Sequence, residues 1–239
     1  MQQMQSQNSF SKGFKDGVPI GLGYLSVSFT FGMMAVSSGL PVWVAVMISM
    51  TNLTSAGQFA GLTLITAGAP MFEMALTQLV INLRYALMSL SLSQKLDNGV
   101  STLHRLAIAF GNTDEVFAVA SGQKGEVGKR YLYGLICAPF IGWVLGTFIG
   151  AAASSFLPET IRSALGIAIY GMFLAIIIPP AKHYRPVLYV ILFSVGMSCL
   201  FNYVPVLNRV SAGFVIILCA VTASALGAWL FPVEEGGDA

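Results

Sequence analysis

Apolar residues along this chain run in blocks long enough to cross a bilayer, with very little charge between them. No Asp, Glu, Lys or Arg occurs between Asp16 and Glu73, and long charge-free runs follow Arg130, Arg162, Arg185 and Arg209. A hydrocarbon core of about 30 Å takes about 20 helical residues, so the pattern predicts transmembrane helices over 18–37, 71–93, 131–156, 162–181, 187–204 and 210–231. Two further apolar runs are interrupted. The run 42–67 contains Thr51-Asn52-Leu53-Thr54-Ser55-Ala56-Gly57-Gln58, and the run 103–120 contains His104, Arg105, Asp114 and Glu115. Broken backbone at membrane depth survives only where protein or a water-filled cavity surrounds it. The expected fold is an all-α polytopic integral membrane protein, with about six full transmembrane helices plus two broken or re-entrant segments; the alternative is eight full spans. Residues 1–16 read as a polar cytoplasmic tail and 232–239 as an acidic tail, flanking a single membrane domain.

Lys and Arg accumulate in cytoplasmic loops, and this bears on the two arrangements. With eight crossings and an inside N-terminus, Lys12, Lys15, Lys124, Lys129, Arg130, Lys182 and Arg185 lie inside and Lys95, Arg105, Arg162 and Arg209 outside, seven to four. If both interrupted runs return to the side they entered from, Lys95 and Arg105 join the inner set and the count becomes nine to two. The second arrangement is therefore preferred, with the N-terminus in the cytoplasm. One interrupted run then enters from outside and the other from inside, as in transporters built from oppositely oriented elements around a midplane site.

Composition agrees with a lipid environment: 56% of the 239 residues are hydrophobic and 9% charged, against roughly a quarter charged in a soluble domain. A formal charge of +2 offers no basic surface for nucleic acid. Met1 to Asp16 lacks an apolar stretch followed by a cleavage site, so no signal peptide is expected. Cys137, Cys199 and Cys219 lie in apolar runs without metal-ligand spacing and read as small buried hydrophobes, so neither a disulfide nor a metal site is expected. No nucleophile elbow, P-loop or HExxH motif occurs, so the chain is not expected to be an enzyme or to hold a cofactor. Uphill transport would then draw on an ion gradient or a partner.

Arg84 is the most informative residue. A guanidinium near the middle of a span costs about 2.5 kcal/mol or more unless it is paired or hydrated, and its own helix offers no partner. Glu73 shares its face but lies eleven residues away, about 16 Å along the axis. A substrate carboxylate, Asp114, Glu115 or the carbonyls of a broken helix would serve, and bidentate geometry favours a carboxylate. The bland alternative is an arginine that pins helices by binding carbonyls. Gln78, Asn82, Tyr85 and Ser89 form a second polar stripe of the kind that joins helices. The break from Thr51 to Gln58 supplies hydroxyls, amides and, at a new helix N-terminus, partial positive charge suited to a carboxylate; it could equally be a crossing point where Ser55, Ala56 and Gly57 let another helix approach. In Phe110-Gly111-Asn112-Thr113-Asp114-Glu115, Gly111 could end one helix and Asn112 cap the next opposite Glu115. The other reading makes Asp114 or Glu115 a proton or cation site facing Arg84. His104 and His183 read as interfacial.

Ser55-Ala56-Gly57-Gln58-Phe59, Asn82-Leu83-Arg84-Tyr85 with Ser91-Leu92, and Phe110-Gly111-Asn112-Thr113-Asp114-Glu115-Val116-Phe117-Ala118 together resemble the large subunit of the azaleucine-resistance (AzlC-type) family of branched-chain amino-acid exporters. Asp16-Gly17-Val18-Pro19-Ile20 and Phe31-Gly32 fit as well. The matching blocks cover about residues 14–120. The resemblance implies a permease of the bacterial inner membrane that exports valine, leucine or isoleucine, with methionine a further candidate, together with a small integral-membrane subunit. The chain departs from the family pattern at Tyr85, where members often carry His, and at Thr51-Asn52-Leu53-Thr54, where members are more apolar. On this reading Thr51, Asn52, Ser55, Gln58, Asn82 and Arg84 bind substrate, Arg84 holding its carboxylate, and Asp114 and Glu115 couple transport to an ion. The rival reading is a scaffolding subunit whose partner carries the transport.

Overall fold

The computed structural model describes residues 8–97, 99–154 and 177–232, together with Phe156, Pro158, Thr160, Gly171 and Leu174. The described residues are helical, with no β-strand. They divide into two compact units, Met1–Phe59 with Asn82–Gly166 and Ala60–Ile81 with Ile167–Ala239.

The first unit is organised by helices α1 (Phe10–Ser37) and α7 (Lys129–Ala153). At 28 residues, α1 is about 42 Å long and exceeds a hydrocarbon core. Ser9 caps it by accepting the Lys12 N–H, and Gly39, at φ +92°, turns the chain away at its far end. Gly13 lies against Tyr131 and Leu135, Gly21 against Ala138, and Gly32 against Thr147 and Ala151. Residue numbers rise together along both helices, so the two run parallel. From α7, Gly134, Gly142 and Gly150 lie in turn against Phe10, Gly21 and Phe29. Small residues at 13, 17, 21, 28 and 32 of α1 and at every fourth position from 134 to 150 of α7 let the backbones touch, which is how helices associate in lipid, where no hydrophobic force drives them together. The predicted span began at 18 because the segment up to Asp16, with Lys12 and Lys15, is polar and resembles a tail. In the structure these charges are already helical: Lys12 pairs with Asp16 at 3.7 Å and Asp16 accepts the Tyr131 hydroxyl at 2.8 Å.

Both interrupted runs are broken helices. The first consists of α2 (Val42–Thr51) and α3 (Ser55–Thr66) with Asn52–Thr54 between them, a shorter break than predicted because Ser55 to Gln58 are helical. A straight helix would separate Ser49 from Gln58 by about 13 Å. Instead Gln58 Nε2 donates to Ser49 Oγ at 2.9 Å, and the Phe59 ring meets Phe31 edge-on at 5.5 Å, so the chain doubles back at the break. The second consists of α5 (Thr102–Phe110) and α6 (Asp114–Ser121), joined by Gly111–Thr113.

Helix α5 starts and α6 ends at one end of the α1–α7 pair. Arg105 donates to the carbonyls of Ser93 and Val100, and His104 contacts both Tyr133 and Lys129. On the return side Lys95 donates to the Ser121 carbonyl, Lys12 Nζ donates to Gln123 Oε1 at 2.7 Å, and Asn8 bonds to Glu126 and Gly128. Segment 102–121 therefore leaves and re-enters the same end, as the nine-to-two arrangement requires, and does not cross. Ile108, Val116 and Ala120 hold it there by packing with Leu92, Leu96, Tyr131 and Leu132. Cysteines placed at Gln94 and Lys124, in a chain lacking the three native ones, should label from one side of the membrane and a cysteine at Ser38 from the other. A crossing over 102–121 would put the first two on opposite sides.

Helix α4 (Met71–Ser93) matches the predicted third span. In the second unit its Glu73 is buried, and Oε1 accepts the Gly213 N–H at 2.9 Å, capping helix α9 (Ala212–Leu230) where Ser211 supplies no side-chain bond. Helix α8 (Arg185–Tyr203) packs beside α9, with Tyr189 stacked on Phe231 at 5.9 Å. These two helices lie within two residues of the predicted bounds. The span predicted over 162–181 lies largely outside the described residues. Cys219 is buried and Cys137 half-buried, whereas Cys199 is exposed rather than buried as its sequence context suggested.

Candidate functional site

Tyr24 stands at the middle of α1, and Asn82 and Arg84 at the middle of α4. The two breaks converge at this depth. The Tyr24 hydroxyl reaches Thr113 at 2.7 Å and the Glu115 carboxylate, tying the Gly111–Thr113 break to α1. Gly111 lies so close to Ile136 of α7 that a Cβ would collide with that side chain. From the opposite end, α2 descends beside α7, with Ser49 and Thr147 hydroxyls 2.7 Å apart, and delivers Asn52–Thr54.

Between the breaks lies a cavity of about 180 Å³, over ten times what one water needs. Thr51, Asn52, Leu53 and Thr54 line one side, Ala109, Phe110, Asn112 and Thr113 another, and Asn82 and Tyr85 of α4 complete it. Much of its polar surface is already engaged. Asn52 Oδ1 accepts the Thr54 N–H at 2.9 Å, forming a local turn, and Thr51 Oγ1 donates back to the Met47 carbonyl at 2.8 Å. Asn112 Nδ2 donates to Ser89 Oγ at 3.1 Å.

Arg84 stands beside this cavity. Its Nη1 is 2.6 Å from Asp114 Oδ2, its Nη2 donates to the Tyr85 hydroxyl at 3.2 Å, and its guanidinium lies 4.9 Å from the Tyr85 ring centroid. The counter-ion missing from its own helix is thus supplied by the first turn of α6. Both side chains remain nearly half exposed.

Of the sequence-predicted residues, Thr51, Asn52 and Asn82 line the cavity and Arg84 with Asp114 flanks it. Glu115 is on the tyrosine of α1, and Ser55 begins α3 just past the lining turn. Gln58 is elsewhere: it is buried in the bridge to Ser49 and Thr147, on the α7 side of the break. The cap assigned to Asn112 is not formed. The cap position of α6 is Thr113, whose side chain makes no capping bond, and Asn112 reaches across to α4 instead. The stripe on α4 serves two ends: Ser89 joins the helices, while Asn82 and Tyr85 face the cavity. Sequence reasoning overlooked Tyr24; its signal is a hydroxyl at the centre of an apolar helix, since a buried tyrosine hydroxyl usually finds a partner.

Two broken helices meeting at a small cavity, within a chain whose described residues are helical, define an all-α polytopic integral membrane protein. The chain belongs to the AzlC protein family, whose pattern matches residues 19–157. It is 29% identical to the inner membrane protein YgaZ of Escherichia coli K12 over 177 residues, 71% of this chain and 72% of YgaZ. It is 31% identical to an uncharacterized membrane protein of Archaeoglobus fulgidus over 233 residues, covering 96% of this chain and 99% of that one. An uncharacterized membrane protein of Helicobacter pylori is 31% identical over 155 residues, 62% of this chain and 67% of its own. No solved structure matches.

Proposed function

We propose that the protein is a secondary transporter that exports branched-chain amino acids, valine, leucine and isoleucine with methionine as a further candidate, across the bacterial inner membrane. The observation that carries this reading is the meeting of the two breaks at the cavity. Irregular backbone at membrane depth is the means by which transporters expose peptide groups and helix ends to a solute. Arg84 receives the substrate carboxylate in exchange for Asp114, and Leu53, Ala109 and Phe110 offer an apolar wall to an aliphatic side chain. Asp114 and Glu115 are the acids that couple export to an ion. Lys12, Lys95, Arg105 and Lys129 gather at the α1 N-terminal end of the first unit, which supports a cytoplasmic N-terminus by the positive-inside rule.

A small integral-membrane subunit is the proposed partner. Vesicles holding this chain, alone and with that subunit, should release preloaded labelled valine faster than empty vesicles. Equal flux from vesicles that hold the small subunit without this chain would favour the scaffolding reading instead.

A further inference from the structure

We propose that the side-chain carbonyl of Asn112 is the receptor for the substrate's ammonium group. This rests on the amino-acid export reading and assigns the end of the zwitterion that Arg84 does not hold.

Asn112 lies in the Gly111–Thr113 break, is 2% exposed and lines the cavity. Its Nδ2 is committed to Ser89 Oγ at 3.1 Å, which fixes the amide plane, while its Oδ1 is buried and accepts no hydrogen bond. A buried acceptor left unmade is costly, and native structures keep few of them without a use. The complement of a lone acceptor is a donor, and an ammonium group supplies three with no competing acceptor. Asp114, which the substrate carboxylate displaces from Arg84, is not among the residues that line the cavity, whereas Asn112 is, so within the cavity the ammonium meets a neutral carbonyl. A neutral acceptor discriminates for the amine without trapping it, as passage through a site requires. Leu53 and Phe110 on the same cavity place apolar surface where the side chain of the same molecule can lie.

The assignment separates leucine from 4-methylpentanoate, which has the same carbon skeleton and carboxylate but no amine. Labelled leucine bound to the purified full-length protein, competed with unlabelled leucine or 4-methylpentanoate, gives the preference ratio. The wild type should prefer leucine strongly, and Asn112→Ala should reduce that ratio about tenfold or more, mainly by weakening leucine. Asn112→Asp keeps the shape and adds charge, so it should raise the ratio by attracting the amine and repelling the anionic analogue. If Asn112→Ala does not accumulate, Asn112→Asp decides alone. An unchanged ratio in the variants measured, with leucine still binding, overturns the Asn112 assignment and leaves the export reading standing. A wild-type protein that binds neither leucine nor valine overturns the export reading itself.

Discussion

Gly17→Val and Gly21→Val should each prevent the protein from accumulating as a monodisperse species in detergent, whereas Gly23→Val in the same helix should behave as wild type. A Cβ at Gly17 would stand 2.5 Å from the Leu135 carbonyl oxygen, and one at Gly21 would stand 2.6 Å from that of Ala138. At Gly23 nothing lies within 4 Å. Helix propensity changes little between the three sites, so the comparison isolates close approach. Overpacking an ordinary core costs about 1–3 kcal/mol because flexible side chains give way. Here the obstacle is backbone, and the glycines of α7 allow no retreat because Gly142 already lies on the backbone of Gly21. The cost should therefore exceed that range, and size-exclusion profiles with thermal unfolding check it. Wild-type behaviour of Gly17→Val would show that the two helices are not locked as described.

The second large effect concerns the Arg84–Asp114 pair. Arg84→Lys should leave the protein folded and inserted yet lose at least about tenfold in export, because an ammonium is a point charge and cannot reproduce the two-pronged grip on a carboxylate. Asp114→Asn should do something different. If the substrate carboxylate replaces Asp114 on the guanidinium, removing that competitor strengthens substrate binding while slowing release. It also removes the acid that can change charge during the cycle, so gradient-driven export should fall to background. Glu115→Asn should be milder, since its carboxylate meets the Tyr24 hydroxyl rather than Arg84. Initial rates in vesicles under an imposed pH gradient, with binding measured in parallel, separate the cases. Wild-type rates in both Arg84→Lys and Asp114→Asn would return the pair to the role of pinning α4 to α6.

The parts of this fold that were legible in the sequence are those set by hydropathy and by the cost of polarity in lipid. The bounds of α4 followed from its apolar run, and both breaks followed from polar stretches too short to be loops and too polar to face hydrocarbon. That Arg84 needs a partner from another element was also readable, because no acid lies within a turn of it. What hydropathy does not encode is which face of a broken segment turns inward. Gln58 and Asn52 look equivalent as neighbouring amides, yet one bonds to a hydroxyl on α2 and the other closes a turn at the cavity. Asn112 was misassigned for a related reason. An asparagine before a helix satisfies a local rule, but the hydroxyl of Ser89, twenty-three residues away, outcompetes the local backbone. The extension of α1 through its charged end escaped too, because Lys12 and Asp16 find partners in the loop and helix that follow residue 121.

The parallel pairing of α1 with α7 has a consequence for how the chain is made. Neighbouring helices in sequence can dock as soon as both emerge, but α1 must wait for α2 to α6 before its partner exists. About ninety residues separate its end from the start of α7, and at roughly 5–20 residues per second of synthesis the delay is on the order of 5–20 s. Throughout that interval its glycine stripe presents bare backbone with no helix to cover it. Insertion of this protein should therefore depend on something that shelters α1, whether the translocation machinery or the first broken segment folding back over it, and truncation after residue 128 should leave α1 to pair wrongly or be degraded.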